Sequence, residues 1–206
     1  MSEAAALSAV DSGRAAPPAV LDERRIPGEP GVWIFLFGDM IVFGIFFATF
    51  MYQRSLAPEL FDESHRTLSL GIGLTNTLVL LTSSLFVVTA VRAIRSSERL
   101  AARWLLVGAL VCGLAFVGLK AIEYTAKVNE GHTPNTNAFY LYYFILTGIH
   151  LLHVLVGIGV LVLLLTQTRH AELSATRMAL VEGGACFWHL VDLLWIVLFP
   201  LLYLVS

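Results

Sequence analysis

Apolar residues along this chain gather into five long runs separated by short polar stretches. The runs cover residues 32–51, 68–91, 104–124, 139–165 and 178–205. Each reaches the roughly 20 residues that a helix needs to cross a bilayer. Lipid offers the backbone no hydrogen-bond partner outside the segment itself, so runs of this length predict helices. The expected fold is all-α: a polytopic bundle of five transmembrane helices over residues 31–206, behind a flexible cytoplasmic tail at 1–30. The tail carries Pro17, Pro18, Pro27 and Pro30 among Ala and charged residues, and it lacks the basic-then-apolar order of a signal peptide. No connection is long enough to hold a soluble module.

Polar residues inside the runs carry the chemistry. GIHLLHVLVG (148–157) places His150, His153 and Gly157 on one face of the fourth helix, because residues three and four apart are helical neighbours. FWHLVDLLW (187–195) repeats the pattern in the fifth, with His189 and Asp192 three apart and Trp188, Asp192 and Trp195 forming an i, i+4, i+7 stripe. Polar side chains at mid-depth must turn towards protein, so these two helices imply a hydrogen-bonded interior. The expectation is one polar layer of His150, His153, His189 and Asp192 between the fourth and fifth helices. Asp39, in WIFLFGDMIVF (33–43), lies roughly 10 Å deep at 1.5 Å per residue. A bare carboxylate there costs roughly 2.5–3.5 kcal/mol on insertion scales, so Asp39 is expected to be protonated or bonded to another helix. A structural cross-helix bond and a proton-transfer role both fit. In LKAIEY (119–124), Lys120 and Glu123 form a local ion pair near a helix end, where Lys120 can snorkel. A sharper alternative has Glu123 accept from a histidine of the fourth helix. LTNTLVLLTSS (74–84), with Asn76 among Thr and Ser, reads as helix-packing chemistry, as do Gly157, Trp188 and Trp195.

Composition narrows the class further. The 206 residues are 57% hydrophobic and 14% charged, against about a quarter charged in soluble domains. A net charge of -2 without a basic stripe gives no sign of nucleic-acid binding. Cys112 and Cys186, both inside apolar runs, read as small core residues and not as a disulfide framework. Positive charge is asymmetric. Arg14, Arg24, Arg25, Arg92, Arg95, Arg99, Arg103, Arg169 and Arg177 fall on one side, against Arg54, Arg66 and Lys127 on the other. Nine against three predicts an inside N-terminus and a periplasmic C-terminus. Imidazole and carboxylate suit iron or zinc, so convergence on a metal or haem is one alternative. The Glu-x-x-His motifs of bundle di-iron sites are absent, and no metal ligand is assigned.

Taken together, GIHLLHVLVG, FWHLVDLLW, LKAIEY, the Thr75-Asn76-Thr77 triplet and the aromatic helix bearing Asp39 resemble subunit III of haem–copper oxidases, in order and spacing from about Gly31 to Leu204. The likeness is to the five-helix form. TPNTNAFYLYYFILTGIH (133–150) and DLLWIVLFPLLYL (192–204) are similar to the subunit III-like protein associated with nitric oxide reductase. In the oxidases the position of Lys120 is more often neutral, and that of Asp39 often a glutamate. The resemblance implies a non-catalytic multi-pass subunit of the bacterial inner (plasma) membrane, working in the aerobic electron transport chain or, alternatively, in denitrification. It implies haem and copper in a partner catalytic subunit and none bound directly here. It also implies bound phospholipid, and support for assembly, stability and proton uptake. Asp39 then matches the family's intramembrane carboxylate, and Glu123, His150, His153, His189 and Asp192 its polar interior. An independent haem-binding cytochrome and a proton transporter are the competing classes.

Overall fold

The computed structural model describes residues 30–169 and 174–204. Six helices occur among them: α1 (Pro30–Leu56), α2 (Pro58–His65), α3 (Leu70–Arg95), α4 (Arg99–Asn129), α5 (Ala138–Gln167) and α6 (Ala175–Tyr203). All except α2 are long and apolar enough to span a membrane, and no strand is found among the described residues. The expected tail lies outside the described residues, except for Pro30, which opens α1.

Helices α3, α4, α5 and α6 form a closed ring of four, each packed on the next, and α6 closes the ring against α3. The most apolar stretch of α6 is 61% buried, whereas that of α1 is only 17% buried. So α6 is the hub, and α1 lies outside the ring against α5 and α6. Without a hydrophobic driving force in lipid, helices associate by close backbone approach. Gly157 and Gly184 provide it between α5 and α6. A Cβ at Gly157 would stand 2.7 Å from the Trp188 ring, and one at Gly184 would stand 2.6 Å from Leu164. Gly73 gives the same room to Phe199 and Tyr203, each 2.9 Å from its notional Cβ.

Leu36, Phe43 and Phe50 are the buried residues of α1, spaced seven apart. That spacing makes a narrow seam and leaves most of the helix facing outward. Phe50 meets Phe61 of α2 edge-on at 5.4 Å and Phe139 of α5 at 6.4 Å. The short helix α2 was not foreseen. Its sequence PELFDESH has no apolar stripe, and it forms because Pro58 starts it and Phe61 and Ser64 bury on the ring. Its far end is tied down by Asn137 Nδ2 donating to Ser64 Oγ (2.9 Å) and by a Thr67–Tyr140 hydroxyl bond (2.7 Å).

Side-chain caps close the N-terminal ends of α5 and α6. Asn137 caps α5 by accepting from the Tyr140 amide at 3.0 Å. The ends of α3 and α4 share one motif, in which an amide bonds back five residues. Glu98 N–H donates to Ala93 O (2.8 Å), and His132 N–H donates to Lys127 O (2.9 Å). The motif needs a left-handed residue just before that amide. At α4 this is Gly131 (φ 84°); at α3 it is Ser97 (φ 63°), which has a Cβ to accommodate.

Candidate functional site: polar cells inside the bundle

The expected single layer between the fourth and fifth transmembrane helices is not what forms. The polar residues instead pair off into separate cells, each bridging a different pair of helices.

Asp39 joins α1 to α5. His153 Nε2 lies 3.0 Å from Asp39 Oδ1, and His153 Nδ1 lies 2.8 Å from the Ile149 carbonyl one turn back. Phe43 stands edge-on to the imidazole at 5.5 Å, and Phe187 of α6 lies nearly parallel to it at 6.5 Å.

The second cell joins α3 to α6. His189 Nδ1 is 2.6 Å from Ser84 Oγ, and Asp192 is the other neighbour of that hydroxyl. The three residue types are those of a hydrolytic triad, but the arrangement is not. In a triad the carboxylate orients Nδ1 and the serine meets Nε2. Here the serine takes Nδ1, so the group works as a helix clamp.

The third cell ties α4 to the end of α6. Lys120 Nζ donates to Glu123 Oε2 (2.9 Å) and to Tyr203 Oη (2.9 Å), and Tyr203 donates to Glu123 Oε1 (2.5 Å). Lys120 does not snorkel: it is fully buried, with its ammonium 4.8 Å from the Trp195 ring and 5.3 Å from that of Tyr143. Glu123 accepts from Lys120 and Tyr203 in place of the histidine considered from sequence. Cation–π contacts of this desolvated kind contribute about 2 kcal/mol, and removing one member of a buried pair costs about 3–5 kcal/mol.

His150 takes no part in any cell. It is fully buried between Phe116 of α4 (5.6 Å) and Trp195 of α6 (5.2 Å), so it packs as an aromatic ring, and both its nitrogens are without a partner. Its 60° offset from His153 around α5 turns it into the ring of four, whereas His153 looks out towards α1. Asn76 is likewise fully buried in α3. The tryptophan stripe faces neighbouring helices of the same chain. Trp188 fills the space over Gly157 and Gly113, and Trp195 Nε1 donates to Thr77 Oγ1 at 3.0 Å.

Sequence reasoning missed Ser84, which it treated as packing only, and Tyr203, a single tyrosine near the end of the last run. It also missed a bond between Tyr124 and Thr147 (2.5 Å) linking α4 and α5. In the last turn of α4, Lys127 donates to Thr67 O (2.6 Å) and to Glu130 just beyond the helix (2.7 Å), and its ammonium lowers the Glu130 carboxyl below the ordinary carboxylate range. Among the described residues, no three or more His, Cys, Asp or Glu side chains gather as a metal site would require.

This geometry defines a class: a polytopic helical membrane protein most of whose intramembrane charged groups bond between its own helices. Comparison with known proteins narrows it. Residues 27–206 match the family described as cytochrome c oxidase subunit III. A probable quinol oxidase subunit 3 of Staphylococcus haemolyticus (strain JCSC1435) is 30% identical over 196 residues, 90% of this chain and 94% of that protein. Its counterpart in Staphylococcus aureus (strain USA300) is 30% identical over 197 residues with the same coverage, and that of Staphylococcus epidermidis is 29% identical over 196. The chain belongs to the cytochrome c oxidase subunit III family and is a multi-pass bacterial membrane protein of the haem–copper oxidase subunit III class. These relatives are named for quinol oxidases, and the nitric oxide reductase alternative is not favoured.

Proposed function

We propose that this chain is the non-catalytic subunit III of a quinol-oxidising haem–copper oxidase, packed beside the haem- and copper-bearing subunit and sustaining its stability and proton supply. The observation that carries this reading is the family match, which spans residues 27–206 and so covers every described helix. The polar cells agree with it. Each ties two helices together, and none presents a nucleophile with its base to a substrate. The N-terminus faces the cytoplasm and the C-terminus the outside, on the nine-to-three bias of Arg and Lys. In that orientation Asp39 lies in the half of the bilayer from which an oxidase draws protons. A groove of about 520 Å³ between α1, α5 and α6, lined by Val32, Phe35, Leu163, Leu180 and Phe187, is apolar enough for phospholipid chains.

Deleting the chain tests the proposal. The partner enzyme should keep its haem spectrum but lose sustained turnover or lifetime. Loss of the haem–copper signal from an otherwise assembled enzyme would assign redox chemistry to this chain and refute the reading. Reporter fusions at the two termini should fall on opposite sides of the membrane.

A further inference from the structure

The protons of the Asp39–His153 cell can be counted from its geometry. A backbone carbonyl only accepts, so the 2.8 Å contact from His153 Nδ1 to Ile149 O requires a hydrogen on Nδ1. A bond at one ring nitrogen sets the state of the other. With Nδ1 protonated, Nε2 carries either a lone pair or, in the imidazolium, a second hydrogen. Across 3.0 Å, Asp39 Oδ1 must then be respectively a protonated acid or an anion. Both solutions leave one hydrogen in the contact and no net charge on the pair. We infer that Asp39 and His153 together form a site for a single exchangeable proton, held between α1 and α5. The two forms interconvert by moving that proton along the contact: the Asp39 O–H bond breaks as the Nε2–H bond forms, and aspartate with imidazolium replaces acid with imidazole.

The surroundings favour this count over its neighbours. Asp39 Oδ2 is buried and without a partner, and both side chains are mostly buried, 12% and 16% exposed. The flanking rings are Phe43 and Phe187, which compensate no charge. One proton fewer leaves a lone carboxylate there, and one more leaves a lone imidazolium, both opposed by desolvation. The seating of α1 is tied to the same proton. Asp39 falls between Leu36 and Phe43 in the apolar seam, the place where one polar residue fixes the register of a helix pair. Phe187 stands between the pair and the apolar groove at the α1 N-terminal end, so that groove does not open onto the pair.

The count holds for the isolated chain, whichever oxidase it serves. Solid-state 15N and 13C spectra of the full-length protein, labelled at His and Asp and reconstituted in lipid, read it directly. His153 is assigned by the signal lost in His153→Gln, and Asp39 by that lost in Asp39→Asn. Nδ1 should be protonated, with one proton shared between Nε2 and the carboxyl. In Asp39→Asn, Nε2 should become bare while Nδ1–H persists. An unprotonated Nδ1, a carboxylate facing neutral imidazole, or an acid facing imidazolium would overturn the assignment. Should His153→Gln fail to accumulate, infrared spectra of the parent protein against Asp39→Asn give the count from the other side. A lost acid C=O stretch without imidazolium, or a lost carboxylate stretch with it, supports a single proton; any other pairing overturns it.

Discussion

Gly157→Ala should destabilise the bundle even though alanine is the better helix former. The new Cβ would stand 2.7 and 2.8 Å from two carbons of the Trp188 ring, well inside the roughly 3.5–4.0 Å of favourable carbon contact. Trp188 has little room to retreat. It is 1% exposed, and on its other side it presses on Gly113, whose notional Cβ would lie 3.0 Å away. Overpacking of this kind costs about 1–3 kcal/mol, and alanine's helix propensity returns up to about 1 kcal/mol. A net loss of up to about 2 kcal/mol follows. Gly148 and Gly159 lie on the same helix with nothing within 4 Å of a notional Cβ, so their alanine variants should be neutral or slightly more stable. Mixed-micelle SDS titration followed by tryptophan fluorescence measures all three. Trp188→Phe should relieve part of the Gly157→Ala penalty, giving a coupling that a double-mutant cycle reads. If Gly157→Ala matches Gly159→Ala, the close α5–α6 approach described here is wrong.

Lys120→Met should cost about 3–5 kcal/mol by leaving Glu123 buried without its cation, whereas Lys120→Met with Glu123→Leu should recover most of that in the same titration. Ser97→Gly should stabilise the end of α3 by about 1 kcal/mol, since a left-handed residue with a Cβ costs about 1–2 kcal/mol and glycine does not bear that cost. Glu130 titrates below the ordinary carboxylate range because Lys127 holds its anion. Its contribution is therefore present above the ordinary carboxylate value and lost as pH falls through the lower folded value. Amide protection in the α4–α5 turn should fall across that window, less so in high salt, and Glu130→Gln should flatten the response.

The five spans were legible because run length alone decides whether a helix crosses a bilayer. Their ends were less so: α4 runs on to Asn129, five residues past the apolar run, because Lys127 is buried there and bonds to Thr67 O and Glu130. That extension carries Lys120 deeper than its distance from the end of the run suggests, so it is caged where it was expected to snorkel. Periodicity shows which face a polar residue occupies but not which neighbour that face meets. His150 and His153 share a face by spacing, yet one enters the ring of four and the other leaves it for α1. Asp39 could be read as needing a partner, but the partner is fixed only by how α1 leans on α5. Tyr203 had no polar neighbour in sequence to mark it. Helix α2 depends on Pro58 at its start and on burial of Phe61 and Ser64 against the ring, which its eight residues do not announce.

The central claim is that this chain is a structural subunit beside a haem–copper enzyme, and purification from its native membrane tests it most directly. The affinity-tagged full-length chain, extracted in mild detergent, should bring with it a haem- and copper-containing subunit in a fixed ratio. Stripped of that partner, the chain should show no Soret band and no stoichiometric iron, copper or zinc. A chain that purifies alone with one equivalent of haem or metal, lost in His150→Ala or His189→Ala, would contradict the account.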